Sequence, residues 1–322
     1  MKLSEVIKQV NNALEQDKKF FRNRNMLIVG KNTAGKSKMI KEIVRKNIDK
    51  GDIYFIDSKN RKITSNERES SRKFSDFKVE DILKDRTNQK YFNKEDIFST
   101  TEGAEILRYE LSEDETKYEK LFSEVLDFKL EFKKEEVPGS DNLIIYIDGA
   151  ELDQLSDAQN AMLRILMEVN FASEQNCKTI IIDEFDIHLD YVNCHMFVHK
   201  LMEKYPHLYF ILAVHSPYTI LGLENFDILQ IKLEYDNVDE NECIFYESND
   251  MDDINIIHRK LFNIPKQTNA MDILLSNALS QVIKEGKIDN SLLKRLEQEE
   301  DTFTVRQKVV YQYIDEHSRR GE

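Results

Sequence analysis

The stretch Met26-Leu27-Ile28-Val29-Gly30-Lys31-Asn32-Thr33-Ala34-Gly35-Lys36-Ser37 decides how the chain is read. Four apolar residues in a row read as a buried strand. Behind them Met39, Ile40, Ile43 and Val44 recur at the spacing of one helical face. Between strand and helix lies GxxxxGKS, in the setting where that pattern has a physical meaning. The glycines let the backbone curl so that successive N–H groups point at an anion, with the positive end of the following helix behind them. A loop running from Gly30 through Lys31, Asn32, Thr33, Ala34 and Gly35 to Lys36 and Ser37 is therefore expected to wrap the phosphates of ATP. Lys36 is expected on the β- and γ-phosphates, and Ser37 on Mg²⁺.

Further apolar runs at 53–56, 143–147, 179–182 and 208–214 read as buried strands. Ala158, Ala161, Met162, Ile165, Leu166 and Val169 mark a helix before the fourth of these five strands. The alternation predicts an α/β fold of the P-loop NTPase kind, with a mostly parallel sheet covered by helices. Residues 62–136 are strongly charged with few strand-like runs, which predicts an inserted helical lobe. The runs 226–232 and 243–246 read as a β-hairpin, followed by a helical C-terminal tail. The expected parts are 1–61 (N-terminal helix and phosphate loop), 62–136 (lobe), 137–248 (remaining core) and 249–322 (tail).

Composition narrows the class. A chain of 322 residues buries a sizeable core, and a net charge of −14 gives an overall field that repels a phosphate backbone. Nucleic-acid contact would need a local basic patch, for which Arg22, Arg24, Lys41, Arg45, Lys59, Arg61 and Lys62 are candidates beside a reading as solvated charges. Cys177, Cys194 and Cys243 form no CxxC pair, which fits a reducing cytoplasm. The amino terminus places Leu3, Val6, Ile7, Val10 and Leu14 on one helical face among charges, as a packed helix does. No run approaches the roughly 18 apolar residues of a membrane span.

Thr179-Ile180-Ile181-Ile182-Asp183-Glu184 is a β-branched run ending in two acids. A strand of this kind delivers Asp183 to a magnesium shell and leaves Glu184 as a candidate general base for water. Ile144-Ile145-Tyr146-Ile147-Asp148 is a rival, but Gly149 follows where the second acid should stand, so Asp148 reads as a turn residue. The strand at 208–214 ends in His215-Ser216-Pro217, placing an imidazole at the edge where ligands gather in open α/β folds. His215 is a candidate sensor of the γ-phosphate.

Asp183-Glu184-Phe185-Asp186-Ile187-His188-Leu189-Asp190, followed after a helix by Val214-His215-Ser216-Pro217, resembles the ABC-type ATPases of the SMC, RecF and OLD group. The resemblance implies a Walker B motif, a D-loop at 188–190 and a switch histidine at His215. Phe185 stands where the family usually has Pro, and Asp190 replaces its second His. Gln154-Leu155-Ser156-Asp157-Ala158-Gln159 occupies the place of the LSGGQ-like signature, with both glycines replaced. The family pattern implies that Ser156 faces the γ-phosphate bound by a partner subunit in a head-to-tail homodimer. The bland reading of Ser156 is an N-cap. The Q-loop is open among Asp57, Asn60, Arg61 and Gln89, and the family's antiparallel β-subdomain before the phosphate loop is replaced by the N-terminal helix. The resemblance implies an ATP hydrolase acting as a conformational switch for a separate effector or toxin protein, in the setting of bacterial anti-phage defence. The alternatives are a nucleotide-gated scaffold with little turnover and a DNA-repair ATPase of the SMC and RecF kind.

His195 and His199 stand four apart on a predicted helix beside Cys194, but no HExxH pattern accompanies them, so a half-exposed helix face is the preferred reading. Leu292, Leu293, Leu296 and Phe303 are expected either to close a core or to dock a partner.

Overall fold

The computed structural model describes residues 1–58, 73–87, 103–137, 140–189, 191–233, 238–262, 270–285, 288–300 and 303–318. Helix α1 (Leu3–Glu15) precedes β1 (Asn25–Gly30) and α2 (Lys36–Asn47), and β2 (Ile53–Ile56) closes the first βαβ unit. Three helices follow, α3 (Val79–Thr87), α4 (Gly103–Glu113) and α5 (Glu115–Leu126), then the strands β3 (Leu130–Val137), β4 (Ser140–Ile147) and β5 (Ala150–Glu151). The second half runs α6 (Asp157–Glu174), β6 (Thr179–Ile182), α7 (Tyr191–Lys204), β7 (Tyr209–Ala213), α8 (Pro217–Ile220), β8 (Phe226–Ile231), β9 (Cys243–Glu247) and α9 (Ile254–Leu261). The chain ends in α10 (Ala270–Glu285), α11 (Asn290–Glu299) and α12 (Val305–Ser318).

The central sheet has the order β2-β6-β7-β1-β8-β9, with every neighbouring pair parallel except β8 and β9. Strands buried on both faces explain the uninterrupted apolar runs: every residue of β2, β6 and β8 is buried. The expected hairpin of β8 and β9 is present, but β8 also lies parallel to β1 along its whole length, so it extends the main sheet.

One expected strand is placed differently. The apolar run 143–147 lies in β4, which pairs antiparallel with β3 and β5 in a separate three-stranded sheet. Neither partner was expected as a strand, because the sequence of β3 is largely Glu and Lys. A charged strand is stable here because its register with β4 is complete, from Leu130 opposite Ile147 to Val137 opposite Ser140. Asp148 follows β4 in a left-handed turn (φ 51°), and its carboxylate accepts the Lys129 N–H at 2.8 Å. It is a turn residue, as its Gly149 neighbour implied.

The chain divides into two compact units, Met1–Asn263 and Ile264–Glu322. In the first, Ile106, Leu107 and Leu111 of α4 and Leu121, Phe122 and Val125 of α5 join the same core as the sheet. The second unit has its own core, formed by Leu275, Ala278 and Val282 of α10, Leu296 of α11, Phe303, and Tyr311 and Ile314 of α12. Leu296 and Phe303 therefore close a local core rather than offer a docking edge, and Leu292 and Leu293 pack partly buried against it. Among the described residues no helix is long and apolar enough to cross a membrane.

Candidate functional site

The phosphate loop leaves β1 at Gly30 and enters α2 at Lys36. Gly35 has φ 107°, and a Cβ there would lie 2.3 Å from Val238 Cγ1, so a side chain is excluded on two counts. A Cβ on Gly30 would lie 2.7 Å from the Ile231 carbonyl of the neighbouring strand. The loop is held from outside by Asn241, whose Nδ2 donates to the Ala34 carbonyl at 3.0 Å, and by the Lys38–Asp239 ion pair at 2.8 Å. Helix α1 joins this clamp, since the Leu3 N–H donates to the Asn241 carbonyl. Lys31, Asn32 and Thr33 remain exposed, with Thr33 in the left-handed region at φ 69°.

Lys36 is buried, and its Nζ donates to the Gly30 carbonyl at 2.7 Å. Burial holds its ammonium below the ordinary lysine range, against the opposing pull of Asp183, Glu184 and Asp186. The segment just after β6 supplies those acids. The Asp183 N–H donates to the Ile56 carbonyl and the Phe185 N–H to the Ala213 carbonyl, which fixes this segment between β2 and β7 at the carboxyl edge of the sheet. Asp183 is buried, and burial pushes its carboxyl up, opposed first by a hydrogen bond from Ser37. Its Oδ1 is buried with no hydrogen-bond partner among the described residues. A hydroxyl and an unsatisfied carboxylate oxygen side by side fit a hard divalent cation.

Glu184 adopts φ 53°, a strained conformation for a side chain of its length. It lines a crevice of about 20 Å³ with Asp57, Ala161, Arg164 and His188, enough for a single water. Arg164 also donates to the Asp57 carbonyl at 3.1 Å, tying α6 to the end of β2. His215 follows β7 and lines a second, larger cleft of about 510 Å³ together with Gly30, Lys31, Asn32, Ile231 and Phe262. Its Nε2 is also buried and unpartnered among the described residues. The structure thus gathers the phosphate loop, Asp183, Glu184 and His215 at one edge of the sheet.

Ser156 makes local contacts with Gln159 through its side chain. It is the exposed N-cap of α6, where its hydroxyl accepts the Gln159 N–H at 3.3 Å and donates to Gln159 Oε1 at 2.9 Å. Asp190 of the D-loop, and Asn60, Arg61 and Gln89 of the Q-loop alternatives, lie outside the described residues, whereas Asp57 sits beside Glu184. Three of the described basic residues are engaged apart from one another: Arg22 pairs with Glu247 and Arg24 with Asp17 at the opposite end of β1 from the phosphate loop, while Arg45 donates to the Thr87 carbonyl. Lys59, Arg61 and Lys62 lie outside the described residues. His199 is engaged with the Gly222 carbonyl at 3.0 Å.

Asp186 was missed from the sequence. It is 7% exposed and accepts hydrogen bonds from the backbone N–H groups of His215 and Ser216 and from the Thr219 hydroxyl. The available signal was a third acid, two residues past a DE pair.

No protein-family model matches the chain, and no curated protein matches it in sequence. Among solved structures it is similar to an Smc head bound to the C-winged helix domain of ScpA, at 14% identity over 47% of this chain and 48% of that one, with TM-score 0.33. It is similar to a protein described as a metal-chelate type ABC transporter in an inward-facing conformation, at 16% identity over 76% and 79%, TM-score 0.37. A third is an Smc head with an extended coiled coil bound to the C-terminal domain of ScpA, from Pyrococcus furiosus, at 12% identity over 77% and 57%, TM-score 0.32. The chain spans about half the length of the first of these. The strand order and the glycine-bearing loop between β1 and α2 define a mostly parallel α/β domain.

Proposed function

We propose that the protein binds Mg²⁺ and ATP at the carboxyl edge of its central sheet and hydrolyses the γ-phosphate. The observation that carries this reading is that, among the described residues, Asp183 Oδ1 and His215 Nε2 are buried without hydrogen-bond partners, after the neighbouring strands β6 and β7 at the same sheet edge as the phosphate loop. Buried polar atoms without partners are costly, and a bound ion or a catalytic role is among the reasons they persist.

The loop amides and Lys36 bind phosphate oxygens, with Lys36 exchanging its bond to the Gly30 carbonyl for the ligand. Ser37 and Asp183 would hold Mg²⁺, which neutralises charge on the β- and γ-oxygens when bound. Glu184 accepts a proton from the attacking water, and its strained backbone directs the carboxylate. His215 donates a hydrogen bond toward the γ-phosphate across the shared cleft. The wider reading is a head-to-tail homodimer that switches a separate effector protein, in an anti-phage setting; the ordered motifs from Asp183 to Pro217 support it by resemblance.

A second reading has its own observation. Ser156 spends its hydroxyl in a capping box with Gln159, and Asp157 follows it, so a signature reaching a partner's phosphate is weakened and a scaffold with slow turnover is favoured. Steady-state phosphate release separates the two. The ATPase reading expects multiple turnovers by wild type, lost in Glu184→Gln with ATP binding retained. Binding without turnover in wild type selects the scaffold.

A further inference from the structure

Asp186 lies three residues beyond Asp183 and carries no chemistry in the reading above. Its two carboxylate oxygens accept the His215 N–H, both at 3.0 Å, and Oδ2 also accepts the Ser216 N–H at 2.7 Å and the Thr219 hydroxyl at 2.8 Å. Among the described residues no ion pair holds it, while its charge acts on Lys36. A buried carboxylate met by three neutral donors fixes their geometry tightly, because each charge-assisted bond is short and directional.

The donors are not scattered. They are the backbone of the imidazole-bearing residue, the residue after it, and a side chain of the short helix α8 that follows. Ser216 already caps that helix with its own hydroxyl, which accepts the Tyr218 N–H at 3.2 Å, so Asp186 is not needed as the cap. On its other side, Asp186 is anchored in the segment that carries Asp183 and Glu184. It therefore joins the segment bearing the two acids to a residue that lines the phosphate-loop cleft and whose buried Nε2 has no partner among the described residues.

We infer that Asp186 is a positioning residue: its carboxylate fixes the backbone of His215 relative to Asp183 and Glu184, so that the imidazole meets the γ-phosphate in one orientation. The inference rests on the ATPase reading for its kinetic consequence but not for its structural one.

Asp186→Asn is the direct test, because an amide places N–H groups against donors and breaks at least one of the bonds. Turnover is expected to fall by roughly 10- to 100-fold with ATP affinity within about twofold of wild type, as for a misplaced group outside the binding loop. The second readout is the ring resonances of His215 in protein with labelled histidine; the chain has seven histidines, and His215→Gln identifies the signal. In Asp186→Asn, without nucleotide, that signal is expected to shift and broaden while the other histidines stay in place. Thr219→Val removes a single donor and leaves the His215 bonds, so it should move the same resonance less; it decides the matter if Asp186→Asn does not fold. A His215 resonance coincident with wild type in a folded Asp186→Asn, or in Thr219→Val when the first variant fails to fold, overturns the inference. Absence of turnover in wild type overturns the ATPase reading alone, since the resonance is read without ATP.

Discussion

The two edges of the central sheet are built from the same strands and carry opposite chemistry. At the amino edge several charges are matched among the described residues. Asp227 accepts the N–H groups of Phe21, Arg22 and Asn23 and the Asn23 amide; Arg24 pairs with Asp17 and Tyr209, Lys50 with Glu15, and Lys178 with Asp52. At the carboxyl edge Asp183 Oδ1 and His215 Nε2 are buried without partners among the described residues, Lys36 is turned onto a carbonyl of its own loop, and Thr33 and Glu184 have left-handed backbones. A cavity of about 360 Å³ at the amino edge, lined by Leu14, Phe20, Arg24, Lys50 and Tyr209, is well formed yet lacks unsatisfied groups. Left-handed backbone occurs at both edges, with Asp17, Asn176 and Asn225 at the amino edge, so the buried atoms left without partners among the described residues are what set apart the edge proposed to take a ligand.

The sharpest way to break this comparison is Glu184→Gln. It is expected to lower phosphate release by roughly a hundredfold or more, the range for losing a general base, with thermal stability preserved or raised as the strained carboxylate is neutralised. Unchanged turnover would remove Glu184 from the site.

Next in size is Asp227→Ala at the amino edge. It strands three backbone N–H groups in a half-buried loop, which costs about 3 kcal/mol at roughly 1 kcal/mol each. A thermal melt should fall by roughly 6 to 12 °C while ATP binding in the folded protein persists. A neutral result would mean that the loop at 21–23 is held by other contacts.

The third prediction has the opposite sign. Burial holds the Asp183 carboxyl above its ordinary value of 3.8, so the folded chain takes up that proton first. Such a group favours the fold fully below 3.8 and loses that contribution as pH rises through the raised folded value. Asp183→Asn keeps the neutral form at every pH. Its melting temperature without Mg²⁺ should therefore exceed that of wild type by on the order of 2 °C near neutrality, with the gap closing toward pH 3.8. A variant less stable than wild type at neutral pH would contradict the assignment of stored cost to this edge.

How much of this was legible follows from the range of each interaction. The phosphate loop, the β6 strand with its two acids, and His215 after β7 are written in contiguous residues, and all three were read correctly in place. The strand β4 was read as a strand but not in its sheet, because an apolar run states that it is buried and not what it pairs with. The parallel pairing of β8 with β1 joins residues about 200 positions apart, and no local pattern encodes it. Asp186 was missed for the same reason: its donors lie 29 to 33 residues away, on the far side of α7. Ser156 shows the converse. A Ser-x-x-Gln pattern before a helix is a local signal for a capping box, and that is what the hydroxyl does.

The smallest expected effect belongs to Lys50→Ala. Its pair with Glu15 is solvent-exposed on both sides, so thermal stability should stay close to wild type and turnover should not change. A larger loss of turnover would show that the two edges are coupled.

The central claim is tested most directly by measuring ATP turnover together with solution mass, for wild type and Glu184→Gln, with and without Mg·ATP. The account predicts multiple turnovers in wild type, and in Glu184→Gln an ATP-dependent doubling of mass with no turnover. ATP binding with neither turnover nor a change of mass would contradict it and leave a nucleotide-gated scaffold.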